Sequence, residues 1–91
     1  MVLTNLGVSL QAMNRAKEAA NAYQQAIRLQ PTYASARYNY GNLLAQLGEM
    51  AAATLQLRDY VRLLPNDAAG RNALGSALAA QNKPAEAAAQ F

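Results

Sequence analysis

Residues of like type recur every 34 positions along this chain, and a chain built that way has few ways to fold. Gly7, Gly41 and Gly75 hold the spacing, each preceded by a large apolar residue (Leu6, Tyr40, Leu74) and followed three residues later by Leu10, Leu44 or Leu78. Ala19, Ala53 and Ala87 keep the same interval, as do Pro31 and Pro65. Tyr23, Leu57 and Phe91 form a bulky apolar series. Asn14, Gly48 and Asn82 form another, of residue types that tolerate left-handed backbone. Several series sharing one period mark a repeat protein, in which each unit buries its apolar face against its neighbours.

Each unit reads as two helices. Leu3, Leu6, Gly7 and Leu10 follow helical spacing up to Asn14, and Ala16, Ala19, Tyr23, Ala26 and Ile27 follow it again up to Pro31. Asn or Gly closes the first helix in the left-handed conformation, and Pro cannot continue the second. Asp67 suits the N-cap of a following helix and Pro84 the first turn of the last. The pattern predicts helices over 2–13, 16–29, 34–47, 50–63, 68–81 and 84–91. Composition agrees: 22 of the 91 residues are Ala and 13 are Leu, against seven Val, Ile and Thr together, so a sheet protein is excluded. Packing predicts that Gly7 meets Ala19 where paired axes approach, with Ala26 further along and the Tyr23 series filling the space between pairs.

Catalytic chemistry has almost no material. The chain has no Cys and no His, which removes thiol and imidazole chemistry. Glu18 and Glu86 occupy equivalent positions two units apart, so they do not form a dyad. Ser9, Ser35 and Ser76 have no His to activate them, and glycines spaced by 34 make no phosphate loop. No enzyme, metal site or cofactor is expected. There is no apolar stretch of membrane length and no secretory leader, which makes the cytoplasm the default expectation. The net charge of +3 is modest.

Asn5-Leu6-Gly7, Ala19, Tyr23, Gln25-Ala26 and Pro31 resemble the tetratricopeptide repeat, a 34-residue helix–turn–helix unit. Asn39, Gly41-Asn42, Gly48, Ala53 and Pro65 match it again, and Leu74-Gly75, Leu78 and Glu86-Ala87 a third time. About 2.7 units fill the 91 residues, at approximately 1–33, 34–67 and 68–91, the last incomplete. Three departures stand out. Arg37 and Arg71 occupy the place where the family often has Trp. Tyr60 stands where the first unit has the small Ala26, and Leu57 is smaller than Tyr23, which suggests an exchange of bulk between neighbouring turns.

The resemblance implies an all-α fold, a right-handed superhelical array of antiparallel helix pairs. Its concave face is lined by the first helix of each pair and binds a peptide or protein segment. Helical geometry puts Thr4, Val8 and Gln11 on that face, then Tyr38 and Asn42, then Asn72 and Ser76. Asn39 is placed beside them, and Arg37 and Arg71 at the rim. Family members that grip acidic C-terminal peptides of heat-shock chaperones use Lys and Arg in the first and third units. Here the first offers Thr4 and Val8 and the third Ala69 and Ala73, so only Asn39 and Asn42 fit and no such clamp is expected. RNA is the weaker alternative, because the cations are scattered and Arg28, Arg58 and Arg62 sit late in second helices, where they complement the helix dipole. The open ends, with apolar Leu3 at one and Phe91 at the other, predict self-association into a homo-oligomer.

Overall fold

The computed structural model describes residues 2–81. The helices run α1 Val2–Ala12, α2 Ala16–Leu29, α3 Ala34–Gln46, α4 Met50–Leu63 and α5 Ala68–Ala80. These match the predicted segments to within a residue at each end; the sixth, 84–91, lies outside the described residues, as do Asn82, Pro84 and Phe91.

The turns close as the residue types require. Asn14 and Gly48 adopt φ values of 59° and 82°, and each ends its helix in the same pair of hydrogen bonds. The amide of Arg15 donates to the Leu10 carbonyl and that of Asn14 to Gln11, while Glu49 donates to Leu44 and Gly48 to Ala45. The inter-unit loops also repeat: the Tyr33 amide donates to Gln30 and the Asp67 amide to Leu64. Asp67 is the N-cap of α5, its carboxylate accepting from the Gly70 amide at 3.3 Å.

Consecutive helices pack side by side. α1 also approaches α3, and α3 approaches α5, whereas α2 and α4 make no such approach among the described residues. First helices therefore form the inner, concave layer of a right-handed array of antiparallel helix pairs, and second helices the outer layer. The core follows the helix seams. Ala19 and Tyr23 pack with Tyr40, Leu43, Leu44 and Ala53; further along, Leu57 packs with Leu74, Ala77 and Leu78.

Small residues permit the pairing, though not against the partners expected. The atoms nearest a side chain added at Gly7 belong to the Tyr23 ring, not to Ala19, and a Cβ at Gly41 would lie 2.8 Å from Leu57 Cγ. Glycine and bulky residue thus interlock within one pair. The bulk of Tyr60 is likewise absorbed elsewhere than predicted. Its ring lies over Gly70 of the next helix, which stands where the preceding junction has Ala36, and is not compensated by Leu57. An alanine pair at one junction is replaced by a tyrosine–glycine pair at the next.

These contacts separate two uses of glycine. Gly41→Ala is expected to destabilise the fold, because overpacking costs about 1–3 kcal/mol and outweighs the ~1 kcal/mol gained in helix propensity. Gly48→Ala has no neighbour within 4 Å to meet. Its loss, about 1–2 kcal/mol, comes from the left-handed backbone alone. Urea denaturation of both variants, with Leu57→Ala added to each, checks the difference: the smaller side chain relieves only Gly41→Ala.

Candidate peptide-binding cleft

The inner layer contains a cleft of about 490 Å³ between α1 and α3. Val8, Gln11 and Ala12 form one wall, Asn39, Asn42 and Gln46 the other, and Tyr23 of α2 reaches up between them. The α1 residues are spaced by three and four, as are those of α3, so each wall is one stripe of a helix. Gln11 links the parts: it accepts from the Tyr23 hydroxyl at 2.9 Å and donates to Gln46 Oε1 at 3.1 Å. Burial raises the Tyr23 phenol above its ordinary value, so it remains a neutral donor. Among the described residues no charged side chain lines the cleft.

Of the residues read from sequence for this face, the cleft brings together Val8, Gln11, Asn39 and Asn42. Thr4 is instead buried, at 3% exposure, and its hydroxyl has no hydrogen-bond partner among the described residues. Tyr38 turns outward to α4, its ring 4.9 Å from that of Tyr60. Both stand three residues before a glycine of the helix seam, and that spacing puts them on the stripe facing a second helix. Asn72 and Ser76 are exposed on α5 and do not line the cleft. Gln46 and the floor residue Tyr23 were missed. Gln46 had a signal, since 39, 42 and 46 share one face of a helix; Tyr23 had none beyond its place in the core.

The two arginines expected at the rim are committed to the scaffold. Arg37 Nε donates to the Pro31 carbonyl at 3.0 Å, and Arg71 Nε to that of Pro65 at 2.5 Å, the same contact one unit on. Arg37 also bonds Gln56 at 3.3 Å and pairs with Asp59 at 3.2 Å, its side chain only 16% exposed. Leu3 lies at the outer end of the array, in a groove with Leu6 and Leu10.

A second polar cluster joins α4 to α5. The Tyr60 hydroxyl donates to the carboxylate that caps α5, Asp67 Oδ2, at 2.5 Å. That bond is the main reason the phenol is pushed up to about 12, with burial and the nearby Asp67 and Tyr38 adding to it.

Among the described residues no helix is long and apolar enough to cross a membrane, and no group of three or more acidic, His or Cys side chains could hold a metal. The family model for the tetratricopeptide repeat matches residues 4–68. Two curated relatives, both peroxisomal targeting signal receptors, come from Candida albicans (46% identical over 43 residues) and Eremothecium gossypii (56% over 34). They match 47% and 37% of this chain, which spans only 7% and 6% of their length. Among solved structures, MamA superposes with a TM-score of 0.93 at 25% identity, over 98% of this chain and 49% of that one. The first TPR of Spaghetti (RPAP3), bound to HSP90 peptide SRMEEVD, gives 0.93 at 21% identity, over 98% of this chain and 71% of that one, a likeness of fold.

The Tyr60–Asp67 bond has a defined pH signature. A phenol whose folded value lies above its unfolded 10.0 contributes its full stability below pH 10 and loses it as pH rises towards 12. Tyr60→Phe is expected to lower stability by about 1 kcal/mol at neutral pH. The gap between variant and wild type should then shrink above pH 10, which urea denaturation across that range measures.

Proposed function

The chain belongs to the tetratricopeptide repeat family of protein-interaction modules, and from that premise we propose that it is a non-catalytic module binding an extended, uncharged peptide segment of a protein partner between α1 and α3. One observation carries the reading: Gln11, Asn39, Asn42 and Gln46 line both walls of one cleft, with no charge among them. Each amide offers a donor and an acceptor, which suits the alternating N–H and C=O groups of an extended backbone. Val8, half exposed, adds an apolar contact for a ligand side chain. A similar fold holds a peptide in the Spaghetti domain, and the two curated relatives are receptors for a targeting signal; both support a peptide ligand.

A cleft without cations cannot compensate a carboxylate for its lost hydration, so acidic peptides bind poorly here. Arg37 and Arg71, held by loop carbonyls, do not supply the missing charge. The same lack of cations disfavours RNA, whose affinity rests on phosphate contacts.

A peptide array of uncharged sequences, followed by calorimetric titration of the hits, tests the reading. The joint variant Asn39→Ala/Asn42→Ala is expected to weaken a hit by at least about ten-fold, roughly 1 kcal/mol for each lost hydrogen bond. An acidic C-terminal pentapeptide should bind more weakly than about 100 μM, roughly −5.5 kcal/mol. Hits indifferent to the asparagines, or tight binding of the acidic peptide, would count against the proposal.

A further inference from the structure

The four amides lining the concave cleft are not equivalent, because two of them have already engaged their carbonyls. Tyr23 is 0% exposed, so solvent cannot take the hydrogen of its phenol. Among the described residues the side chain that accepts it is Gln11, through Oε1 at 2.9 Å. That bond decides which way round the Gln11 amide stands. Turned over, Gln11 would face the phenol with its amino group and leave a buried O–H without an acceptor, an arrangement that folded proteins avoid. Held as it is, Gln11 directs Nε2 across the cleft to Gln46 Oε1 at 3.1 Å. The Gln46 carbonyl is thereby engaged in its turn.

The hydrogen bonds therefore run one way, from the core outwards, and each link polarises the next. What they leave for a ligand is N–H. Gln11 Nε2 keeps a second hydrogen, and Gln46 Nε2 donates to nothing among the described residues. Gln11 is half-buried and Gln46 exposed, so both remain within reach of a ligand. They stand at the C-terminal ends of α1 and α3, and that end of the cleft is a donor surface. Asn39 and Asn42, further back along α3, take no part in the relay and keep a donor and an acceptor each.

An ordinary peptide bond brings an N–H as well as a carbonyl, and at a donor surface that N–H loses water without gaining an acceptor. A peptide bond to proline brings the carbonyl alone. Proline also holds the chain extended, with no internal hydrogen bonds to compete for its carbonyls.

We propose, on the reading of this cleft as a peptide site, that it selects an extended, proline-containing segment whose carbonyls accept from Gln11 and Gln46. Tyr23 is the positioning residue that sets this preference, acting through Gln11.

Two uncharged peptides of equal length, acetyl-hexaproline amide and an acetylated, amidated Ser–Ala hexamer, test the proposal by NMR titration of the intact chain. The proline peptide is expected to bind at least about five-fold more tightly and to shift the side-chain amide signals of Gln11 and Gln46. Tyr23→Phe keeps the ring beside Gly7 but frees Gln11 to turn, so the preference should vanish and the two peptides bind alike. Gln11→Glu still accepts from Tyr23 and has no N–H to offer, so it should weaken the proline peptide by at least about ten-fold. Circular dichroism shows whether Tyr23→Phe keeps the fold; if it does not, Gln11→Glu decides alone. A Tyr23 that only supports the fold would change both affinities together and leave their ratio intact, which overturns the proposal. Equal binding of the two peptides, or tighter binding of the Ser–Ala hexamer, overturns the preference and leaves the peptide site standing. Binding of the proline peptide that neither Gln11→Glu nor Asn39→Ala/Asn42→Ala weakens overturns both. Binding of neither hexamer also overturns the preference, and the peptide array then decides the site by itself.

Discussion

Everything in this array depends on bulky side chains lying against residues that have none. Tyr23 on Gly7, Leu57 on Gly41 and Tyr60 on Gly70 set how closely neighbouring helices approach. Close-packed interiors leave no slack at such points, so one methyl group at either of the first two glycines separates a helix pair. The Tyr23 contact also reaches the concave side. Because the ring passes beside Gly7, its hydroxyl emerges at Gln11 and becomes the floor of the concave cleft. Core packing and surface chemistry meet in a single side chain.

The joints between units use polar groups to the same end. At both described junctions an arginine of the first helix returns to the carbonyl of the proline that ended the preceding helix. A guanidinium is a planar donor that suits a fixed carbonyl, and at the first junction Asp59 and Gln56 hold it from the other side. The second junction adds Tyr60 and Asp67, joined by a hydrogen bond that also caps α5. Cations used in this way are withdrawn from the concave face. The neutrality of the cleft is therefore linked to the way the units are held together.

A neutral, amide-lined cleft recognises shape and hydrogen-bonding pattern rather than charge. Electrostatic steering, which speeds association with charged ligands, has little part in it. On the proposed reading, selectivity rests on which ligand side chain accompanies the backbone, at Val8 and along the amide walls. The proposed site would thereby differ from a clamp for acidic termini within one family fold, which illustrates why the fold alone does not name a ligand.

Helix boundaries, left-handed turns and the pairing of helices were legible in the chain itself. They depend on local rules: residues three and four apart share a face, Asn and Gly accept positive φ, and Pro stops a helix. Half of the candidate face was legible for the same reason, since Val8, Gln11, Asn39 and Asn42 lie on stripes that the period identifies. What remained hidden depends on distances between helices, which no period encodes. Thr4 and Tyr38 are the exception, since their spacing of three from a seam glycine already put them on the stripe that faces a second helix. Arg37 found its carbonyl across a loop, and Tyr60 found room over Gly70, a glycine outside the repeating series. The 34-residue pattern determined which elements form and in what order. The close approach of those elements decided which side chains were consumed in packing and which were left on the concave surface, because only in three dimensions do residues far apart in the chain compete for the same space.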